Sequence, residues 1–90
     1  MKLLLGISLA TLSTLAWAGA DCKKHDKKDW IPEADMKKKI QDMGYEIKKF
    51  KIDGNCYEIY GYEGKDKDKK KVEIYFDTKT AEIVKKEIED

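Results

Sequence analysis

The sequence has no arginine: all 19 of its basic residues are lysine. Against them stand 18 Asp and Glu, for a formal charge of +1. A nucleic-acid binder needs a basic excess, and arginine's planar fork is the usual reader of phosphate, so nucleic acid is not an expected partner. Serine occurs only at Ser8 and Ser13, histidine only at His25, proline only at Pro32, and cysteine only at Cys22 and Cys56. No C-x-x-C pair is present to tune a reactive thiolate. Cys22 and His25 form C-x-x-H, but haem attachment needs C-x-x-C-H and structural zinc wants four ligands, so neither a metal nor a cofactor is expected. His25 then reads as a solvated histidine. With 90 residues the chain has room for one small domain.

What is present begins with a leader. Lys2 precedes an apolar run over residues 3–15, and Ala16-Trp17-Ala18 and Ala18-Gly19-Ala20 both offer small-x-small cleavage sites. The run is shorter than the roughly 20 residues of a membrane span. The reading is a signal peptide over 1–20, cut after Ala20, and a periplasmic or secreted product with no membrane insertion afterwards. Lipidation of Cys22 is disfavoured because Asp21, not a small residue, precedes it. Both serines leave with the leader, and with them the serine nucleophiles. Residues 21–90 keep 18 Lys against 18 Asp and Glu and are formally neutral. An oxidising compartment favours a Cys22–Cys56 disulfide over two free thiols or a redox pair.

Residues 21–31 read as a polar, extended N-terminal arm, and 32–90 as a single domain. Pro32 suits the first turn of a helix, Glu33 and Asp35 suit its dipole, and Met36, Ile40 and Met43 recur on one face, which predicts a helix over 32–43 ended by Gly44. Lys37 to Lys39, like the later run Lys69 to Lys71, are diluted by neighbouring Asp and read as solvated surface. Strands are predicted over 45–52, 56–62, 72–77 and 82–88. A bulge near Lys48 and Lys49 would bring Tyr45, Ile47, Phe50 and Ile52 to one face. Asp53-Gly54 signals a hairpin, and the charged stretch 63–71 a solvated loop. The expected fold is α+β: one N-terminal helix packed on a small antiparallel sheet of three to four strands.

A single sheet under one helix has one face to bury. Tyr57, Tyr60, Tyr62 and Tyr75 exceed what that face needs, and tyrosine is enriched where surfaces are half wet and in interfaces. These four are the candidate binding surface; the arm could also fold over part of it. None of the carboxylates stands in an apolar sequence setting that would raise its pKa. No catalytic residue is assigned, and an enzyme is not expected.

Several segments together resemble a known family. They are Trp30 before the short helix, Gly44-Tyr45, the run Asp53-Gly54-Asn55-Cys56-Tyr57-Glu58-Ile59-Tyr60, and Val72-Glu73-Ile74-Tyr75-Phe76-Asp77 leading to Glu82-Ile83-Val84. The chain resembles small periplasmic PepSY-domain proteins of the peptidase-propeptide and YpeB-like type. The resemblance implies an exported α+β module without catalytic residues that modulates or inhibits a peptidase; the expected partner is an unidentified periplasmic or envelope protein, and the expected state is a monomer. An accessory or structural subunit of an envelope electron-transfer or signalling system is the alternative. Two departures stand out. Ala81 sits where many members carry Gly in an Asp-x-x-Thr-Gly turn, and the charged insert 65–71 is longer than a tight turn.

Overall fold

The computed structural model describes residues 19–89, so all but the last two residues of the expected leader lie outside it. Helix α1 is Glu33–Asp42, and strands β1 Tyr45–Asp53, β2 Cys56–Glu63, β3 Lys70–Asp77 and β4 Ile83–Glu89 follow. They form one antiparallel sheet in the order β1-β2-β3-β4, so every neighbour in space is a neighbour in sequence. The expected α+β architecture is therefore the observed one, with four strands.

Local chemistry accounts for the element ends. Pro32 is the N-cap of α1, one place earlier than expected, and its carbonyl accepts the Met36 N–H at 2.9 Å. Proline costs nothing there because the first helical N–H groups have no intrahelical acceptor. At the other end the Gly44 N–H reaches the Gln41 carbonyl at 2.9 Å. The β1–β2 hairpin turns through Gly54 and Asn55, with Asp53 paired to Cys56. Gly54, the first turn residue, takes a φ of 61°, which glycine adopts without penalty and which suits the twist of a two-residue hairpin. The expected loop over 63–71 is shorter in the structure, since β2 runs to Glu63 and β3 begins at Lys70; between them lies a 3-10 turn, Asp66–Asp68, with no buried residue.

The register decides which side chains form the core. Tyr57 pairs with Phe76, Ile59 with Ile74 and Gly61 with Val72, which puts these residues on one face. Met36 and Ile40 of α1 close over that face, and Met36, Ile40, Ile59, Ile74 and Phe76 are fully buried. Each such side chain contributes about 1.5–3 kcal/mol by leaving water. Trp30, Ile31, Tyr45, Ile47 and Phe50 pack around the cluster. The bulge in β1 lies at Lys48, between Ile47 and Lys49, near where the broken alternation of apolar residues demanded it. Gly61 faces the strand just there. A β-carbon on it would run into the Glu46 carbonyl, so the close approach of β1 depends on glycine.

Two apolar positions, Met43 and Ile52, differ from expectation, and for one reason. The helix lies over β1 and the centre of the sheet, so residues beyond its footprint stay wet. Met43 is 44% exposed because it is the C-cap of α1 and not a member of its buried stripe. Ile52 is exposed beside the hairpin, and does not join Tyr45, Ile47 and Phe50 in the packed group. On β4, Ile83, Val84 and Ile88 are exposed as well. Ala81, in the turn before β4, has a φ of 68°, the left-handed conformation that glycine adopts most readily. Its N–H donates to the Asp77 carbonyl at 3.0 Å, and its methyl group is buried in the core.

Candidate functional site

The second face of the sheet carries Cys56, Glu58, Tyr60 and Tyr62 of β2, opposite Asp77, Tyr75, Glu73 and Lys71 of β3. No helix covers it. The four candidate tyrosines do not share this face. Tyr57 has the opposite parity and is buried under the helix, where its ring meets Trp30 edge-on at 5.3 Å and Phe50 at 5.0 Å. Its hydroxyl donates to the Ile31 carbonyl at 2.7 Å, which ties the arm to the core. Tyr75 is on the open face but is buried against the Cys22–Cys56 bond and Ala20. Only Tyr60 and Tyr62 remain accessible to a partner, the first exposed and the second half-buried.

The arm explains why Tyr75 is covered. The expected disulfide joins Cys22 to Cys56, with Cα atoms 5.4 Å apart. From this bond on the open face the arm passes the end of β3 and reaches the helix side at Trp30 and Ile31. It is not wholly extended, since Lys27–Asp29 form a 3-10 turn. Nor is His25 solvated. Its Nε2 lies 3.1 Å from both carboxylate oxygens of Asp77, with the ring mostly buried. Asp77 also accepts the Lys79 and Thr80 N–H groups at 2.8 and 3.0 Å. Burial pushes the Asp77 carboxyl up, but His25 and the two N–H groups outweigh it and hold it at about 2. The Trp30 indole N–H donates to the His25 carbonyl at 3.0 Å, and the Ile31 N–H to the Thr78 carbonyl at 2.8 Å.

The least expected feature is a pair of carboxyl groups, Glu58 and Glu73, at the centre of the open face. Glu58 is 1% exposed, and its Oε2 is buried without a hydrogen-bond donor. Its Oε1 lies 3.8 Å from the Lys51 ammonium. Glu73 accepts the Tyr75 hydroxyl at 2.8 Å. Around the two lies a groove of about 400 Å³, lined further by Asp53, Tyr60, Lys85 and Glu87. Burial, and then contact with Glu73, pushes the Glu58 carboxyl up to about 7, while the proton Glu58 shares holds Glu73 low. The pair thus keeps one proton well above the usual carboxylate range. Burial and the same two carboxylates push the Tyr60 hydroxyl up to about 12. Sequence reasoning singled out no such carboxylate. The signal lay in the pairing of β2 with β3, which sets Glu58 beside Tyr75 and Tyr60 beside Glu73.

A pH dependence follows from this pair. A carboxyl whose folded pKa is raised stabilises the fold fully below its unfolded value, near 4.5, and that contribution is lost as pH rises through about 7. Stability is expected to fall between pH 5 and pH 8, and Glu58→Gln is expected to flatten the fall. Urea unfolding midpoints at the two pH values check this; equal slopes for both proteins would refute it.

The family profile described as peptidase propeptide and YPEB domain matches residues 2–87. The chain belongs to the PepSY family. The match takes in the arm, α1, β1 to β3 and β4 as far as Glu87. Searches of curated proteins and of solved structures return no match. Within this PepSY domain no group of three metal-ligating side chains comes together among the described residues, and no helix there is long and apolar enough to cross a membrane.

Proposed function

We propose that this PepSY domain is an exported, non-catalytic binding module that docks a periplasmic or envelope protein through the open face of its sheet and modulates or inhibits a peptidase. The observation that carries the reading is the open face itself. It holds exposed Tyr60, half-buried Tyr62 and a groove with an unsatisfied buried carboxyl, and the helix packs on the other side. Family membership supports the peptidase as the class of partner, and the disulfide supports export.

The test uses a photoreactive phenylalanine analogue at position 60, with one at Asp35 on the helix as control. Cross-linking in the periplasm is expected to capture a peptidase from position 60 only. The purified protein should inhibit that peptidase, and Tyr60→Ala/Tyr62→Ala should weaken inhibition at least tenfold. Equal capture from both positions, or undiminished inhibition by the double variant, would overturn the open face as the docking surface.

A further inference from the structure

The groove around Glu58 and Glu73 has a chemistry more specific than a generic contact surface. Tyr60 and the mostly buried Tyr75 line it, with the Glu58 carboxyl, whose Oε2 accepts no hydrogen bond from another residue among the described ones. Charged groups face it from every neighbouring strand: Lys51 and Asp53 from β1, Glu58 from β2, Glu73 from β3, and Lys85, Glu87 and Glu89 from β4. Acids outnumber bases among them. Two of the chain's own ammonium groups stand at the rim over the two tyrosine rings, Lys51 at 5.5 Å from the Tyr60 ring and Lys85 at 5.9 Å from that of Tyr75. Lys51 reaches no closer than 3.8 Å to Glu58, and Lys85 also donates to the Gly19 carbonyl and pairs with Glu87. The site therefore already attracts cations, yet Oε2 is unsatisfied.

We propose that this groove receives an arginine side chain of a partner protein, its guanidinium bridging Glu58 and Glu73 and stacking on Tyr60. The inference rests on the reading of the open face as a docking surface. A guanidinium fits where an ammonium does not, because it is planar, weakly hydrated, stacks on aromatic rings and donates to two carboxylates at once. A divalent cation is a poorer match, since no third metal-ligating side chain joins these two. The chain contains no arginine, so the guanidinium has to come from outside it. Below about pH 7 the proton shared by Glu58 and Glu73 competes with any outside donor for these oxygens. An incoming guanidinium displaces that proton, so binding strengthens as pH rises.

The experiment is an NMR titration of the exported protein with the blocked peptide Gly-Gly-Arg-Gly-Gly. The controls are the same peptide with citrulline, a neutral isostere, and with lysine. The arginine peptide is expected to shift the Glu58, Tyr60 and Glu73 resonances, with an affinity about tenfold higher at pH 8 than at pH 6. Glu58→Gln and Glu73→Gln, checked for native melting, should each weaken binding at least tenfold, while Asp35→Asn on the helix should not. Equal binding of the citrulline or lysine peptide, no pH dependence, or full binding by both glutamine variants would overturn the proposal. Arginine binding without any effect of Tyr60→Ala/Tyr62→Ala on peptidase inhibition would overturn only the docking reading. Peptidase inhibition unchanged by both glutamine variants would overturn only the arginine site.

Discussion

Cys56→Ser is expected to lower the stability of this domain by about 3–4 kcal/mol, and its melting temperature by about 15 °C or more. The bond closes a loop with a sequence separation of 34, and the loop-closure entropy of so long a segment sets that scale. The loss goes beyond the loop. Cys22 and Cys56 are both buried against Tyr75, so opening the bond frees the arm and uncovers that ring. Thermal melting of the wild type with and without reductant, beside the Cys56→Ser variant, checks the prediction. A melting temperature indifferent to reductant would show that the His25–Asp77 contact and Trp30 hold the arm without the disulfide.

Phe76→Ala is the second large effect expected, a loss of about 3–5 kcal/mol. Phe76 is fully buried, lies opposite Tyr57 and packs within the cluster that Met36 and Ile40 close from above. Small domains have total stabilities of only about 5–15 kcal/mol, so this one substitution removes much of what holds the sheet to the helix. Val84→Ala on exposed β4 is the matched control and should change stability by no more than about 0.5 kcal/mol. Urea denaturation of both variants, compared at equal m-value, separates them. Equal midpoints would place the core elsewhere.

Much of this fold was legible because its signals are local. Pro32, Glu33 and Asp35 marked the helix start, Gly44 its stop, and Asp53-Gly54 the hairpin. The broken alternation between Ile47 and Phe50 located the bulge to within a residue. Global decisions were less legible. Met43 keeps the helical period of Met36 and Ile40, but it sits one residue past the helix and nothing in the sequence shows where the sheet ends beneath it. Tyr57 could be paired with Ile59 by parity. Only the position of the helix decides that their face is the buried one, which removes Tyr57 from any surface. The carboxyl pair was the hardest to see. Glu58 and Glu73 are separated by the charged loop, and one residue of slip between β2 and β3 would send one of them to the other face. His25 was misplaced for a similar reason, since its partner Asp77 lies 52 residues away.

The disulfide and Trp30 hold the arm at two points on opposite sides of the sheet, so the chain between them is clipped over the end of β3. An enzyme that degrades proteins one residue at a time from the amino end would meet a covalent knot at Cys22 before reaching any of the described elements. Endoproteases need several extended residues in their clefts, and between Cys22 and Trp30 they would find a short span bent by a 3-10 turn and pinned at His25. A module whose proposed work is to sit beside peptidases thus carries an arm that offers them little extended chain.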